Sequence, residues 1–419
     1  RTAVASLPMP RCLQVIADDL SGAAECAAAL AQASASPAPL VVKGPLPDSG
    51  SWVVDSDTRA QDAAVAVERV SAIVRAASAR RVGGELLFKK IDSTLRGHVA
   101  EELRAVLEVP GAVQAAIVCP ALPTQGRTLK DGVLHVHGQP RRDAAGLPVN
   151  LMKLLAPIDE AALLLRPAPA QTAASLAREL LSVLERGTRV VAVDAADAEE
   201  LRRLALAIVI VSRSVQLLAT GAAGLCKALA TELLQAGGPE HPMLAPSRDH
   251  PPIVTLVGSF SPVTTQQVDE LAAQPDLHVA RLDPADWFES TDAVAQTVAT
   301  ARAHAEQGDP VVLAVTGHAP AASSRALVQR MAEAALPLLQ HASTLVLTGG
   351  DTARAVLDRL GVERLQVLGE LEPGICLSRD GTRFVVTKAG GFGDSQSLVR
   401  VLRHLRAVGG SKATEDRKE

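Results

Sequence analysis

An α/β fold in two domains is what this sequence predicts, each domain carrying a largely parallel sheet flanked by helices, with a cleft between them. Three observations lead there. Short apolar runs alternate with longer stretches of helical periodicity along most of the chain, the order that builds parallel sheets. The alternation stops once, at 236–252, where prolines and glycines gather, and then restarts. Several apolar runs end in tight clusters of polar residues, and in open α/β sheets ligands bind where strands end. The expected bounds are an N-terminal domain over 1–235, a linker over 236–252, a C-terminal domain over 253–408 and a disordered tail over 409–419.

Cys12-Leu13-Gln14-Val15-Ile16-Ala17 reads as the first strand, ended by Asp18-Asp19. Ser21-Gly22 open an Ala-rich helix to about Ala33. Leu40 to Lys43 and Trp52 to Val54 read as strands, the second running into Asp55-Ser56-Asp57-Thr58-Arg59. A helix follows from about Ala60. Glu85-Leu86-Leu87-Phe88 is a strand that leads into Lys89-Lys90-Ile91-Asp92-Ser93-Thr94-Leu95-Arg96-Gly97. Leu95, Val99, Leu103 and Leu107 then recur at helical spacing, which places Ser93 or Thr94 at an N-cap. Ala115 to Cys119 is a strand that enters the basic loop Pro120 to Thr128. Val133 to Val136 reads as a hairpin strand and Arg189 to Val193 as a strand, with helical segments onward to about Gln235.

After the linker, strands are expected at Ile253 to Gly258, Val311 to Val315, Thr344 to Leu347, Leu365 to Leu368 and Phe384 to Thr387. Helices are expected from about Pro262, from about Ala321, from Thr352 and from Asp394 to about Arg406.

The stretch from Lys89 to Arg96 gathers three cations, one carboxylate and two hydroxyls at a strand end. A helix N-terminus there would favour an anion, and Arg can hold a carboxylate through two parallel hydrogen bonds. That combination predicts a pocket for a small hydroxylated anion. A second pattern lies in the C-terminal half. Gly258-Ser259-Phe260-Ser261-Pro262, Thr348-Gly349-Gly350-Asp351-Thr352 and Lys388-Ala389-Gly390-Gly391-Phe392-Gly393-Asp394 each follow a strand and precede a helix. Glycines in that place let backbone N–H groups face phosphate, so the three together predict a polyphosphate or nucleotide site.

Other classes are disfavoured. Hydrophobic residues make up 47% of the chain but aromatics only 2%, with no Tyr, so stacking platforms for nucleic acid are lacking. The formal net charge of −4 points to neither nucleic acid nor a membrane surface. No apolar run of about 18 or more residues occurs and the start shows no signal-peptide pattern. The five cysteines are widely spaced without a C-x-x-C, which fits reduced thiols in a cytoplasmic protein. Gly221 to Ala228 has the wrong spacing for a Walker A loop, and no G-x-G-x-x-G with a following acidic residue is present, which disfavours hydride-transfer cofactors. His135 and His137 would share a strand face but lack a third metal ligand. Ser261 has no G-x-S-x-G setting for a hydrolase. A two-domain binding protein that closes on a small anion without chemistry is the rival from another class.

The motifs Ile16-Ala17-Asp18-Asp19-Leu20-Ser21-Gly22-Ala23, Lys89 through Gly97, Cys119-Pro120-Ala121 and Gln125-Gly126-Arg127-Thr128, followed by Gly258 through Thr264, Gly349-Gly350-Asp351-Thr352, Glu372-Pro373-Gly374 and Lys388 through Gly393, resemble those of the four-carbon acid sugar kinases. The resemblance spans nearly the whole chain in order. It implies an N-terminal domain for the acid sugar, a C-terminal domain for ATP, and phosphorylation of the terminal hydroxyl of D-threonate, D-erythronate or 3-oxo-tetronate. Asp351 stands where many members have Glu, and Phe260 where many have Cys. The run from Lys388 to Gly393 looks closer to the threonate and erythronate kinases than to the 3-oxo-tetronate kinases.

On this resemblance Arg96, with Lys90 or Arg59, would hold the substrate carboxylate, and Ser93, Asp92 and Asp18 would bind hydroxyls. Gly126 and Arg127 would line the same pocket. Asp19 would orient or deprotonate the terminal hydroxyl, with Asp92 the next candidate. Ser259, Gly349, Gly350, Asp351, Thr352 and Gly393 would cradle ATP, with Mg²⁺ bridging the phosphates and no metal ligand assigned. The expected partners are a small sugar acid and ATP, neither nucleic acid nor membrane, with a homodimer left open.

Overall fold

The structure, a computed structural model, describes residues 9–234, 252–289, 291–317 and 324–407. The chain divides into two compact units, Arg1–Pro239 and Glu240–Glu419. The expected linker, apart from Pro252, and the expected tail lie outside the described residues, as does Ala321, where a helix was expected to begin.

In the first unit the strands are β1 (Cys12–Ala17), β2 (Ala38–Val41), β3 (Trp52–Asp55), β4 (Glu85–Lys90), β5 (Ala115–Cys119), β6 (Arg127–Lys130), β7 (Val133–Val136), β8 (Gln139–Pro140), β9 (Leu163–Leu165), β10 (Val190–Val193) and β11 (Leu217–Gly221). Eight of them run in the order β2-β3-β1-β4-β11-β5-β10-β9, every neighbouring pair parallel. Strands buried on both faces read as continuous apolar runs, which is how Val53-Val54, Ala115–Cys119 and Val190–Val193 read. The register matters most for function. Asp55 pairs with Ala17, Ala17 with Lys90, Lys90 with Gly221 and Gly221 with Cys119. Five strands therefore end at one level, and the loops that leave them share one edge. A separate antiparallel sheet, β6-β7-β8, follows the fifth of these strands.

The Ala-rich helix Leu20–Ser34 follows β1. Eleven of its residues are buried, and its small side chains let it lie close to the sheet. One hydrophobic cluster of this unit is built from Val, Leu, Ile and Ala around Trp52, as a chain poor in aromatics requires.

Three expectations need correction here. Leu217–Gly221 is a strand between β4 and β5, not part of a helical region. Ser93 and Thr94 do not cap a helix: the helix is Val99–Glu108, and Leu95, with φ of 61°, lies in a loop before it. His137 is not on a strand face with His135, because β7 ends at Val136 and His137 turns with φ of 49°.

The second unit contains β12 (Ile253–Val257), β13 (His278–Leu282), β14 (Val311–Val315), β15 (Thr344–Thr348), β16 (Arg364–Glu372), β17 (Ile375–Arg379) and β18 (Phe384–Lys388). Their order is β13-β14-β12-β15-β18-β17-β16, parallel as far as β18 and antiparallel from there. Val257 pairs with Thr348 and Thr348 with Lys388, so three adjacent strands again end at one level. Helices Pro262–Ala272 and Gly350–Arg359 follow the first two of these ends directly, and Ser397–Ala407 follows the third after a loop. No described helix is long and apolar enough to cross a membrane.

Candidate active site

At the level edge of the first unit, Arg59 is the hub of three carboxylates. Its Nε and Nη2 donate to Asp18 Oδ2 and Oδ1 at 2.7 and 2.8 Å. The same Nη2 lies 2.7 Å from Asp19 Oδ1, and Nη1 lies 3.9 Å from Asp92 Oδ1. The loop that carries Arg59 is tied down locally. Ser56 Oγ donates to Ala17 O at 2.7 Å, and the backbone N–H groups of Thr58 and Arg59 donate to Asp18 O at 3.0 Å. The polar run after β3 is thus laced onto the end of β1, which places the guanidinium over the paired aspartates.

Asp92 organises the loop after β4. Its Oδ2 accepts from Thr94 N at 3.1 Å, from the Thr94 hydroxyl, and from Arg96 N and Nε at 3.3 and 2.9 Å. Its Oδ1 accepts from Arg96 Nη2 at 2.9 Å. Such local side-chain to backbone bonds compete with a helical cap, which is why Ser93-Thr94 does not open one. Burial would push the Asp92 carboxyl up, but the hydrogen bonds from Arg96 and the charge of Arg59 outweigh it and hold it far below the usual carboxylate range. A carboxylate so fully engaged is a poor proton acceptor and a good clamp. Arg96 is correspondingly not free to grip a ligand with its Nε–Nη2 fork. Its Nη1 makes no hydrogen bond among the described residues, and the side chain is 63% exposed.

Asp19 differs from its neighbours. It is the N-cap of the helix Leu20–Ser34, its Oδ1 accepting from Gly22 N at 3.0 Å. Among the described residues its Oδ2 accepts no hydrogen bond, whereas both oxygens of Asp18 and of Asp92 are taken. The anion at this helix N-terminus is therefore the protein's own. Lys90 is buried, with Nζ donating to Ile91 O at 3.0 Å. A methyl group on Gly22 would meet Lys90 Nζ at 2.6 Å and Asp19 Oδ1 at 2.8 Å, so the glycine leaves space that both side chains border. Burial works against the Lys90 charge, but Asp18, Asp19 and Glu25 outweigh it and raise its pKa. For Asp18, burial is likewise outweighed by Arg59, then by Lys89 and Lys90, and the carboxyl is held below its ordinary range.

Lys89 does not join this pocket. It alternates to the other side of β4, where its fully buried Nζ pairs with Glu102 Oε2 at 2.8 Å. The three cations expected from the sequence thus reduce to Lys90 and Arg96, joined by Arg59 and Arg127. Arg127 Nη1 donates to the buried Ser93 hydroxyl, which draws the loop after β5 onto the loop after β4. Gly126, with φ of 63°, closes the short turn Pro123–Gln125 just before β6 and sets the direction of Arg127. Asp18, Asp19, Arg59, Lys90, Asp92, Ser93, Arg96 and Arg127 are brought together, and Gly126 shapes the backbone beside them.

In the second unit the three glycine loops converge. A Cβ on Gly390 would strike Ser259 Oγ, and one on Gly258 would strike Thr352 Oγ1. Gly349, with φ of 102°, occupies the N-cap position of the helix Gly350–Arg359 and donates its N–H to Lys388 O at 2.8 Å. Thr352 is buried behind it and Asp351 is exposed in the first turn. Gln267 ties the third loop to the helix Pro262–Ala272 by donating to Phe392 O and Asp394 O at 3.2 and 2.7 Å, beside Gly393. Ser259, Gly349, Gly350 and Thr352 thus surround one helix N-terminus, the setting in which backbone N–H groups hold phosphate.

Residues 13–229 match the family described as a sugar-binding N-terminal domain, and residues 254–398 the one described as a nucleotide-binding C-terminal domain. The chain is 33% identical over 421 residues to the D-threonate kinase of Cupriavidus necator, covering 92% of this chain and 95% of that one. It is 33% identical over 372 residues to the D-threonate kinase of Bordetella bronchiseptica, covering 83% of each. The solved structure of Haemophilus influenzae protein HI1011 matches with a TM-score of 0.70 at 20% identity, covering 94% of this chain and 100% of that one, a likeness of fold alone.

Proposed function

The chain belongs to the four-carbon acid sugar kinase family, and on that premise we propose that it transfers the γ-phosphate of ATP to the terminal 4-hydroxyl of D-threonate. That it is a sugar-acid kinase follows from its relatives. The choice of D-threonate rests on the names of these two relatives. The assignment of roles rests on one observation above all: of the three carboxylates around Arg59, Asp19 alone keeps an oxygen without a hydrogen bond among the described residues.

In this reading Asp19 Oδ2 takes the proton of the 4-hydroxyl as that oxygen attacks phosphorus, and Lys90, which borders the same space beside Gly22, steadies the charge that passes through the pair. The Nη1 side of Arg96 binds the substrate carboxylate and Arg127 assists it, while Asp92 holds Arg96 in place. Asp18 keeps Arg59 oriented, so Arg59 acts as the organiser of the aspartates rather than as the carboxylate anchor. Ser93 offers a hydroxyl to the substrate from beside Arg127. The glycine loops, with Ser259, Gly349, Gly350, Thr352 and Gly393, hold the phosphates of ATP. Mg²⁺ neutralises phosphate charge in transfers of this kind and takes few protein ligands. Among the described residues no group of three or more His, Cys, Asp or Glu could hold a metal ion, and no metal ligand is assigned to this chain. The five cysteines form no disulfide with one another, which suits the reducing cytoplasm in which ATP is abundant.

Incubation with MgATP and D-threonate, followed by phosphorus and proton NMR, tests the reaction. A single product with its phosphate on O4 is expected. Phosphate on O2 or O3 would contradict the proposed orientation, and consumption of 3-oxo-tetronate without consumption of D-threonate would reassign the substrate. Arg96→Met tests the anchor: KM for the acid should rise on the order of 10- to 100-fold, the worth of a charge-assisted hydrogen bond. Affinity for ATP in the absence of sugar acid should remain at the parent value, and calorimetry showing its loss would remove Arg96 from the acid pocket.

A further inference from the structure

Three lysines among the described residues are buried, and they are not alike. Lys89 pairs with Glu102, and Lys90 lies in the field of Asp18, Asp19 and Glu25. Lys388, the last residue of β18 and only 1% exposed, makes no ion pair among the described residues. Its Nζ donates to the carbonyls of Ala389 and Gly390 at 3.0 and 3.2 Å, and burial pushes its pKa down to about 8. A buried ammonium without a counter-charge is costly, and proteins tolerate it where a function needs the charge.

The place is specific. The Gly390 carbonyl also accepts from Thr264 Oγ1 at 2.6 Å, and Thr264 Oγ1 lies 3.4 Å from Ser259 Oγ. Lys388 is in register with Thr348, the residue before Gly349, so the two side chains share one face of the sheet. The Thr348 hydroxyl is buried with no hydrogen-bond partner among the described residues. A cation and an unsatisfied hydroxyl therefore sit together under the point where the three glycine loops meet.

We propose that Lys388 is the cation that answers the phosphates of the nucleotide, and that nucleotide binding draws a proton from solvent onto it. The proposal rests on reading the second unit as the nucleotide site. It goes further in naming the charge that site supplies and in predicting a proton linkage that glycine loops alone would not produce. Bound polyphosphate favours the charged lysine, so affinity should fall as pH rises through about 8.

The test is calorimetric titration of the full chain with MgADP, without sugar acid, in buffers of different ionisation enthalpy. At pH 8 about half of Lys388 is neutral in the free protein, so wild type should take up about half a proton per nucleotide, falling toward zero at pH 6.5. Lys388→Met should bind on the order of 10- to 100-fold more weakly at pH 7 and take up no proton at pH 8. Lys388→Arg, whose charge does not titrate, should bind more tightly than Lys388→Met and also take up none. Nucleotide binding by wild type with no uptake at pH 8 would overturn the proposal without recourse to any variant, while leaving the nucleotide reading intact. Parental affinity and uptake in Lys388→Met would overturn it as well. A wild-type protein that bound no nucleotide would remove the nucleotide reading of the unit and this proposal with it.

Discussion

Asp19→Asn should lower kcat by about 10²- to 10⁴-fold while changing KM for the sugar acid little, the signature of a lost general base. The substitution is informative because of what it keeps. Asparagine is as good an N-cap as aspartate, so its side-chain oxygen can still accept from Gly22 N and hold the start of the helix. The Oδ2 position, which carries no hydrogen bond among the described residues, becomes an NH₂ that donates where a proton must be accepted. Shape survives and the direction of one hydrogen bond reverses. A near-parental kcat in Asp19→Asn would move the proton-accepting role off this residue. Asp92 could not easily inherit it, because both of its oxygens are held by Arg96 and Thr94.

Arg59→Met should cost stability as well as activity. Asp18 and Asp92 are 5% and 7% exposed and Asp19 17%, and Arg59 lies within ion-pair distance of all three. Removing one partner of a buried pair leaves an uncompensated charge, and the expected loss is about 3–5 kcal/mol for the first unit at pH 7. The sign of the pH dependence follows from Asp18. Its folded-state pKa is depressed, so in wild type it contributes stability above the ordinary unfolded value of about 3.9 and loses it as pH falls through the lower folded value. The variant lacks that contribution. Its deficit should therefore be full at neutral pH and close as the medium is acidified below about pH 4. Denaturant titrations across pH would show this, and a deficit that stayed constant from neutral to acid would mean that Arg59 matters for packing rather than for charge.

The sequence made the chemistry legible where it was concentrated at strand ends. Asp18-Asp19, Arg59, Lys90 to Arg96 and Arg127 sit in separate polar runs, and the parallel register carries them to one level because each run follows a strand of nearly equal extent. The three glycine loops were legible for the same reason, being anchored at Val257, Thr348 and Lys388. What the sequence hid depends on direction and on partners. Lys89 and Lys90 look equivalent in a string, yet alternation along β4 sends one to Glu102 and the other over Gly22. Asp92 draws Arg96 back onto itself across four residues, so a residue that reads as a free ligand clamp is half engaged. Leu217–Gly221 went unseen as a strand because a five-residue buried run has too little periodicity to separate it from the helices on either side. The setting of Lys388 could not be read from sequence at all, since it is defined by the lack of an ion-pair partner among the described residues.

The central claim, that a carboxylate-anchored four-carbon acid is the phosphoryl acceptor, is tested most directly by ADP release in a coupled assay with MgATP and either D-threonate or the neutral tetrose that lacks its carboxylate. If Arg96 and Arg127 hold the carboxylate as proposed, kcat/KM for D-threonate should exceed that for the neutral sugar by about 10²-fold or more, the worth of two charge-assisted hydrogen bonds. Equal turnover of the two, or no ADP release above the ATPase background with any four-carbon acid, would contradict it.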